Sequence, residues 1–459
     1  MHVSLPFSLL LSIVSQVWSI NIVDFDTCSI PYIIPRNFER FCDHSDQYLS
    51  DVALTDLKGK FVTSIAPPAN VTSSAIRNKP NLWTHEPFCI ESPEANNGFC
   101  VYTNSRFANG RGISIVATPK EILKVTQAPI FRDLSRNLRN DAQGAARYVQ
   151  QPVAGKGLGN VANATFQRAE RLQTFTPTLA FQDDLMQFVA KRDVHLLQKI
   201  AVERLPAESQ RNFMALMGHF GGNEHYDRIS TNSFAARLGE AKDHFWAVLP
   251  ETSRFNHDCR PNAVYHFNQN TLEHHVHAVR QILPGEEITI SYLRPLAQYA
   301  EREERMIEQW GFKCSCTHCN LSPDMIALSD SRLNLIEELE EELVDFSHNR
   351  TANTDTAELL VELYSEERLE GASADAYTYA ALEYAYIGQK RAAQKWAAKA
   401  IEALSMWRGT EHVYYQGMWR LLTNPESHDA WRYLTNGKES DSNRTFYKEV
   451  TRITLSGGD

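Results

Sequence analysis

The sequence predicts an α+β chain: a β-rich centre interrupted by a helical insertion, then an all-α C-terminal domain. Three observations carry this expectation. Apolar residues alternate with period two through residues 262–292, the spacing of half-buried strands. After residue 325 they recur at helical spacing instead. Between the two regimes stands a dense cysteine cluster, Cys314-Ser315-Cys316-Thr317-His318-Cys319.

The chain has 459 residues, too many for one ordinary domain. Its 46 Lys and Arg against 56 Asp and Glu leave a formal charge of −10, which argues against broad phosphate-backbone binding. No direct nucleic-acid contact is therefore expected. No apolar run of about 18 residues occurs beyond the first twenty, so no membrane span is expected either, and nothing requires an oligomer.

Residues 1–19 read as a signal peptide, with an apolar stretch from Leu5 to Val17 running into Val17-Trp18-Ser19. A buried N-terminal strand or helix is the alternative. Asn-x-Ser/Thr sequons at Asn70, Asn163, Asn320, Asn349 and Asn443 permit the secretory pathway as location; nucleus or cytoplasm is the alternative. Residues 20–105 form a cysteine-containing region. After a signal peptide, Cys28, Cys42, Cys89 and Cys100 fit two disulfides, most simply Cys28–Cys42 and Cys89–Cys100, out of three pairings. In a reducing compartment the four would be free.

Asn109-Gly110-Arg111-Gly112 precedes a β-type run, Ile113–Ala117. Residues 134–160 are polar and read as a flexible connection ending in Gly155-Lys156-Gly157-Leu158-Gly159, a string without the spacing of a phosphate loop. A helical insertion is expected at about 160–220. Its signals are Leu185, Phe188 and Val189, then Phe213, Leu216 and Met217, ending at Gly221-Gly222. Further on, Asn268-Gln269-Asn270 separates two strands and Pro284-Gly285 makes a turn. Ile288, Ile290 and Tyr292 then share one face. His275 and His277 share a face too, read as solvated rather than metal-binding.

In the tail, Ile336, Leu339, Leu343 and Phe346 form one stripe, opposite a solvated face of Glu337, Glu338 and Glu340–Glu342. Asp375–Ile387 and Lys390–Leu404 read as a helix pair with small residues at its seam. It is either tetratricopeptide-like or a plain bundle.

The cysteine cluster cannot close comfortably on itself, because thiols at that spacing strain a disulfide. Three thiolates on one tight loop suit tetrahedral zinc and need a fourth ligand. Cys259, in Asn256-His257-Asp258-Cys259, is the cysteine outside both groups; His318 is a less convenient substitute. Taken singly, Tyr292 also suits a core position at a strand end, and Gly110-Arg111-Gly112 a hairpin turn.

Taken in order, Gly110-Arg111-Gly112, Arg254–Asn262 around Asn256-His257-Asp258-Cys259, Gly285–Tyr292, and Trp310-Gly311-Phe312 before the cysteines resemble the SET-domain protein lysine methyltransferases. The resemblance is to the SET-and-MYND-like branch and spans roughly residues 106–320. It implies a SET β-fold of small sheets at 106–295, a zinc-bound post-SET segment at 296–322 and a helical C-terminal domain at 323–459. It implies methyl transfer from S-adenosylmethionine to a protein lysine. Gly110, Arg111, Gly112, Asn232, Ser253, Asn256, His257, Tyr292 and Phe312 would line the cofactor, with Tyr292 catalytic at the mouth of the lysine channel. Cys259, Cys314, Cys316 and Cys319 would hold structural zinc. A catalytically inactive scaffold in the secretory pathway, binding partners through the helical domain, is the alternative. Two departures stand out: the MYND finger is missing, and Asp258 stands where the family usually has serine.

Overall fold

The computed structural model describes residues 82–91, 98–132, 147–345 and 350–435. The expected signal peptide, Cys28, Cys42, Asn70, Phe346, Asn349 and Asn443 lie outside these residues.

Thirteen strands make three sheets among the described residues. The first begins as a hairpin, β1 (Phe88–Ile90) and β2 (Phe99–Asn104), in which Cys89 stands directly opposite Cys100. The two are joined in the expected disulfide. Next come β3 (Ile113–Ala117) and, parallel to it, β7 (Leu179–Gln182). β9 (Phe245–Val248) and β8 (Ser233–Ala236) complete the order β1-β2-β3-β7-β9-β8. Every residue of β3 is buried, as a continuous apolar run covered on both faces should be.

The second sheet holds β4 (Tyr148–Val153), β5 (Gly157–Ala162), β10 (Asn256–His257) and β13 (Glu287–Ile290), in the order β10-β13-β5-β4. The third is antiparallel, β11 (Ala263–Asn268), β12 (Glu273–Ala278) and β6 (Arg171–Phe175) in the order β11-β12-β6. One apolar core built on Ile113, Ile115, Phe245, Phe255, Val276, Ile288 and Ile290 joins the three sheets.

Helices then frame them. After α1 (Pro119–Val125), the insertion contributes α2 (Lys191–Glu203), α3 (Ala207–Met214) and α4 (Glu224–Asn232). α5 (Tyr299–Trp310) leads into the cysteine cluster. The C-terminal domain is helical: α6 (Pro323–Val344), α7 (Thr354–Glu366), α8 (Ala374–Tyr386), α9 (Lys390–Trp407) and α10 (Val413–Thr423). Asn353 and Thr356 make a reciprocal capping box at the start of α7. α8 and α9 are the expected pair; Ala380, Ala381, Ala393, Ala397 and Ala400 are fully buried, letting the backbones approach.

Six expectations need correction. The connection ending in Gly155–Gly159 is the β4–β5 hairpin, with glycines at positive φ on both sides of Lys156. The insertion starts with a single turn at Leu185–Phe188, not at 160, and runs past Gly221-Gly222 to Asn232. Strands β6 and β7 were hidden because β6 buries polar Gln173 and Thr174, which blurs the period. Met217, expected on the buried stripe, is 75% exposed.

The other two concern charge. Glu340 is buried and accepts a hydrogen bond from the Tyr364 hydroxyl at 2.6 Å, and burial raises its carboxyl to about 8. His275 and His277 do not face solvent: their rings pack on His266, which in turn meets the Met406 carbonyl at the end of α9. The helical domain covers that strand face.

Candidate active site and thiolate knot

The organising feature is a strand of two residues. β10 runs parallel to β13, pairing Asn256 with Thr289 and His257 with Ile290. Asn262 staples the arrangement from outside: its side chain donates to the Glu287 carbonyl and accepts from the Thr289 amide. The segment 251–257 becomes a hub to which the other candidate residues are tied.

Arg111 reaches it first, forming a bidentate pair with Glu251 at 2.5 and 2.8 Å while its Nε donates to the Thr176 carbonyl. Its side chain is therefore committed within the protein, and the backbone of Gly110–Gly112 is what remains to meet a ligand. The preceding turn is strained, with Ala108 and Asn109 at positive φ as well as Gly110 and Gly112. At Gly112 a Cβ would also collide with the Pro206 ring at 2.4 Å. Ser253 donates to the backbone carbonyls of Leu249 and Asn232, joining Asn232 to the hub at the end of α4.

Asn256 donates through Nδ2 to Glu287 Oε1 at 2.8 Å. His257 turns inward. Its Nδ1 accepts the Tyr292 amide at 3.0 Å, so the ring proton sits on Nε2, which faces Cys259 Sγ at 3.2 Å. Burial pushes the imidazole down to about 3, keeping it neutral. The His257 side chain is thus turned to the Cys259 sulfur. Tyr292 donates from its hydroxyl to the Phe255 carbonyl at 2.8 Å, packs at a tilt against Trp310, and is held protonated by burial. Phe312 follows the left-handed cap Gly311 and is 37% exposed, on the rim rather than in the core.

The four thiols Cys259, Cys314, Cys316 and Cys319 converge within 4.8 Å of one another, the first three buried. Cys259 Sγ lies 3.9 Å from Cys314 Sγ and 3.5 Å from Cys319 Sγ. Sulfurs at about 2.3 Å from a tetrahedral zinc would stand roughly 3.8 Å apart, so the set fits that ion. Hydrogen bonding from Cys259 drives the Cys316 thiol down while Cys259 itself is pushed up, the behaviour of thiols too crowded to ionise together without a cation. His318 is not among them; it faces Ser329 at 3.2 Å.

Asp258 is no ligand either. Its carboxylate accepts the Arg260 amide at 2.8 Å, and burial raises it to about 6. Arg260 is itself buried, and pairs with Glu367 at the end of α7 at 3.0 Å. Ser329 and Arg332 of α6 complete that node by donating to the same carboxylate at 2.7 and 3.2 Å.

Glu251, Glu287, Asn262, Trp310 and Lys156 are the members that sequence reasoning left without a role. Glu287 had a signal, since it stands inside the quoted Gly285–Tyr292 string. Glu251 lies 140 residues from Arg111 and had none.

Comparison with known proteins agrees with this arrangement. Residues 98–293 match the SET domain family. Histone-lysine N-methyltransferase set5 of Schizosaccharomyces pombe is 26% identical over 290 residues, covering 61% of this chain and 84% of that protein. N-lysine methyltransferase SMYD2-B of Danio rerio is 30% identical over 131 residues, 28% of this chain and 30% of its own. Histone-lysine N-methyltransferase SMYD3 of Mus musculus is 35% identical over 96 residues, 21% and 22% of the two chains. This chain thus spans most of the first relative and under a third of the other two. With its parallel β10–β13 pairing, its small sheets and its four-cysteine knot, the chain carries a SET domain over residues 98–293 and groups with proteins named for lysine methylation.

Proposed function

We propose that the chain transfers a methyl group from S-adenosylmethionine to a lysine side chain of a protein substrate, with structural zinc in the four-cysteine knot. The observation that supports this most is the β10–β13 pairing, which brings Asn256, His257, Cys259 and Tyr292 into one connected unit.

Bound at the hub, the cofactor supplies a methyl group activated on a sulfonium. The backbone of Gly110–Gly112, the Asn256 amide, Asn232, Ser253 and the Phe312 ring are its proposed lining. A lysine must arrive neutral to attack, and the aromatic walls offered by Tyr292, Trp310 and buried Phe255 disfavour its charged form; the proton leaves to solvent. The Tyr292 hydroxyl spends its proton on the Phe255 carbonyl, so its lone pairs are left to accept from the attacking amine. The N–C bond forms as the C–S bond breaks, and alignment supplies most of the rate. Zinc takes no part in that displacement. Held by the four cysteines of the knot, it would fix the segment from Trp310 to Cys319 as one wall.

Titration of S-adenosylmethionine into the zinc-loaded chain tests the reading. Micromolar binding lost in Asn256→Ala supports it, and methyl transfer lost in Tyr292→Phe with cofactor affinity kept supports the catalytic role. No binding to a folded, zinc-loaded chain would leave the inactive scaffold.

For location we propose the secretory pathway, supported by the Leu5–Val17 stretch and the Cys89–Cys100 disulfide. A mature chain beginning near Ile20 is the expected result; an intact Met1 with reduced Cys89 would point to nucleus or cytoplasm. The proposed form is a monomer, which light scattering checks.

A further inference from the structure

The geometry points to Glu287 and Lys156 as a positioning pair that sets which atom of Asn256 meets the cofactor. The proposal rests on the methyltransferase reading and deepens it: Asn256 recognises an N–H donor of S-adenosylmethionine through its amide oxygen.

β13 lies between β10 and β5, so a side chain from its first residue can reach both neighbours. Glu287 does. Oε1 accepts from Asn256 Nδ2 at 2.8 Å on one side, and Oε2 accepts from Lys156 Nζ at 2.8 Å on the other. The carboxylate and the ammonium are 16% and 22% exposed, enough shelter for the pair to persist yet too wet for a strong ion pair.

A carboxylate has only acceptors, so the amide must turn its NH2 toward Glu287. The amide oxygen then points away and accepts no hydrogen bond from the described residues. Because the flip is forced by Glu287, Asn256 offers an incoming ligand an acceptor. The adenine amino group and the α-ammonium of S-adenosylmethionine are donors of that kind.

Lys156 comes from the hairpin tip that looked like a linker. Gly155 and Gly157 flank it at φ +72° and +75°, and its amide donates to the Val153 carbonyl at 3.0 Å, so the tip is a fixed turn. Gly159 adds an independent sign that this corner is fitted. A Cβ there would lie 2.6 Å from Asn256 Nδ2 and 2.7 Å from Glu287 Oε1, too close for either group to stay. The glycine leaves room for the amide–carboxylate pair and for nothing larger.

Calorimetric titration of S-adenosylmethionine into the full-length, zinc-loaded chain and its variants tests the assignment, with zinc content and melting temperature measured alongside. Glu287→Ala should weaken binding about tenfold, the scale of a hydrogen bond to a charged group. Glu287→Gln should keep most of the affinity, since its carbonyl still accepts from Asn256, and Lys156→Met should cost roughly two- to threefold. At millimolar cofactor, where residual binding to Asn256→Ala is measurable, adding Glu287→Ala should cost nothing further. Asn256→Asp sets two carboxylates face to face and should lose binding, and Glu287→Gln added to it should restore a part. A merely structural Glu287 would lower zinc content or melting temperature and would weaken both backgrounds equally, which overturns the proposal. So does an unchanged Glu287→Ala affinity where Asn256→Ala removes micromolar binding; the methyltransferase reading survives that result. Absence of binding to the folded wild type removes both.

Discussion

Two sets of cysteines meet opposite fates in this molecule. In the N-terminal hairpin, Cys89 and Cys100 are directly paired residues on antiparallel strands and close a disulfide. At the other end of the SET domain, four thiols gather from the loop after β10 and the loop after α5. Strand pairing brings two sulfurs together and isolates them from others. The loops bring four to one point, where two disulfides would leave nothing to hold the wall beside Tyr292. Local geometry, more than the residue type, decides between a cross-link and a cluster of free thiols.

Chelating the metal, or replacing Cys314 by Ser, should have the largest effect, since structural zinc contributes on the order of 10 kcal/mol in small domains. We expect cofactor affinity to fall more than a hundredfold and proteases to cut near Phe312, with the N-terminal hairpin intact; metal analysis and limited proteolysis read it. Cofactor binding surviving metal loss would break the comparison.

Acid comes next. Burial lowers His274, His275 and His277 to about 3, 2 and 3, with neighbouring His266 adding to each and Arg171 bearing on the last two. Groups whose folded pKa is depressed stabilise the fold fully above their unfolded value near 6.5, and that contribution is lost as pH falls toward the folded values. Each should cost up to about 1.4 kcal/mol per pH unit in that window. Urea midpoints measured from pH 7.5 to 4.5 should drop steeply; a flat profile would contradict it.

Glu367→Ala leaves the buried Arg260 guanidinium beside the knot without its carboxylate and should cost about 3–5 kcal/mol in chemical denaturation. The double change Arg260→Met and Glu367→Leu should recover most of it. The smallest effect belongs to the disulfide. Cys89→Ala with Cys100→Ala should cost about 2–3 kcal/mol and leave cofactor affinity unchanged, because the hairpin is the edge of a different sheet.

The four-cysteine cluster was easier to read in the sequence than the scaffold around it. Asn256, His257, Tyr292 and the four cysteines sit in short strings whose spacing is itself chemical information, and the structure brings Asn256 and His257 to β10, Tyr292 to the end of β13 and the thiols together. Side-chain direction was less legible. Nothing in the string says that His257 turns toward Cys259, since that follows from the parallel register with β13. Lys156 was lost for a related reason: two glycines around a lysine read as looseness, yet in a β-hairpin they are the left-handed positions of a tight turn. Glu340, His275 and His277 were read as solvated because only tertiary packing buries them.

The separation of 55 positions between Cys259 and Cys314 also has a meaning in time. A chain made from its N-terminus at ~5–20 residues per second exposes Cys259 roughly 3–11 s before its first loop partner exists. Cys89 and Cys100, only 11 residues apart, have both been made by then and can be sealed against each other. The order of synthesis thus withdraws the early thiols from exchange before the late ones emerge, and the four-cysteine cluster is complete only once Cys319 has been made.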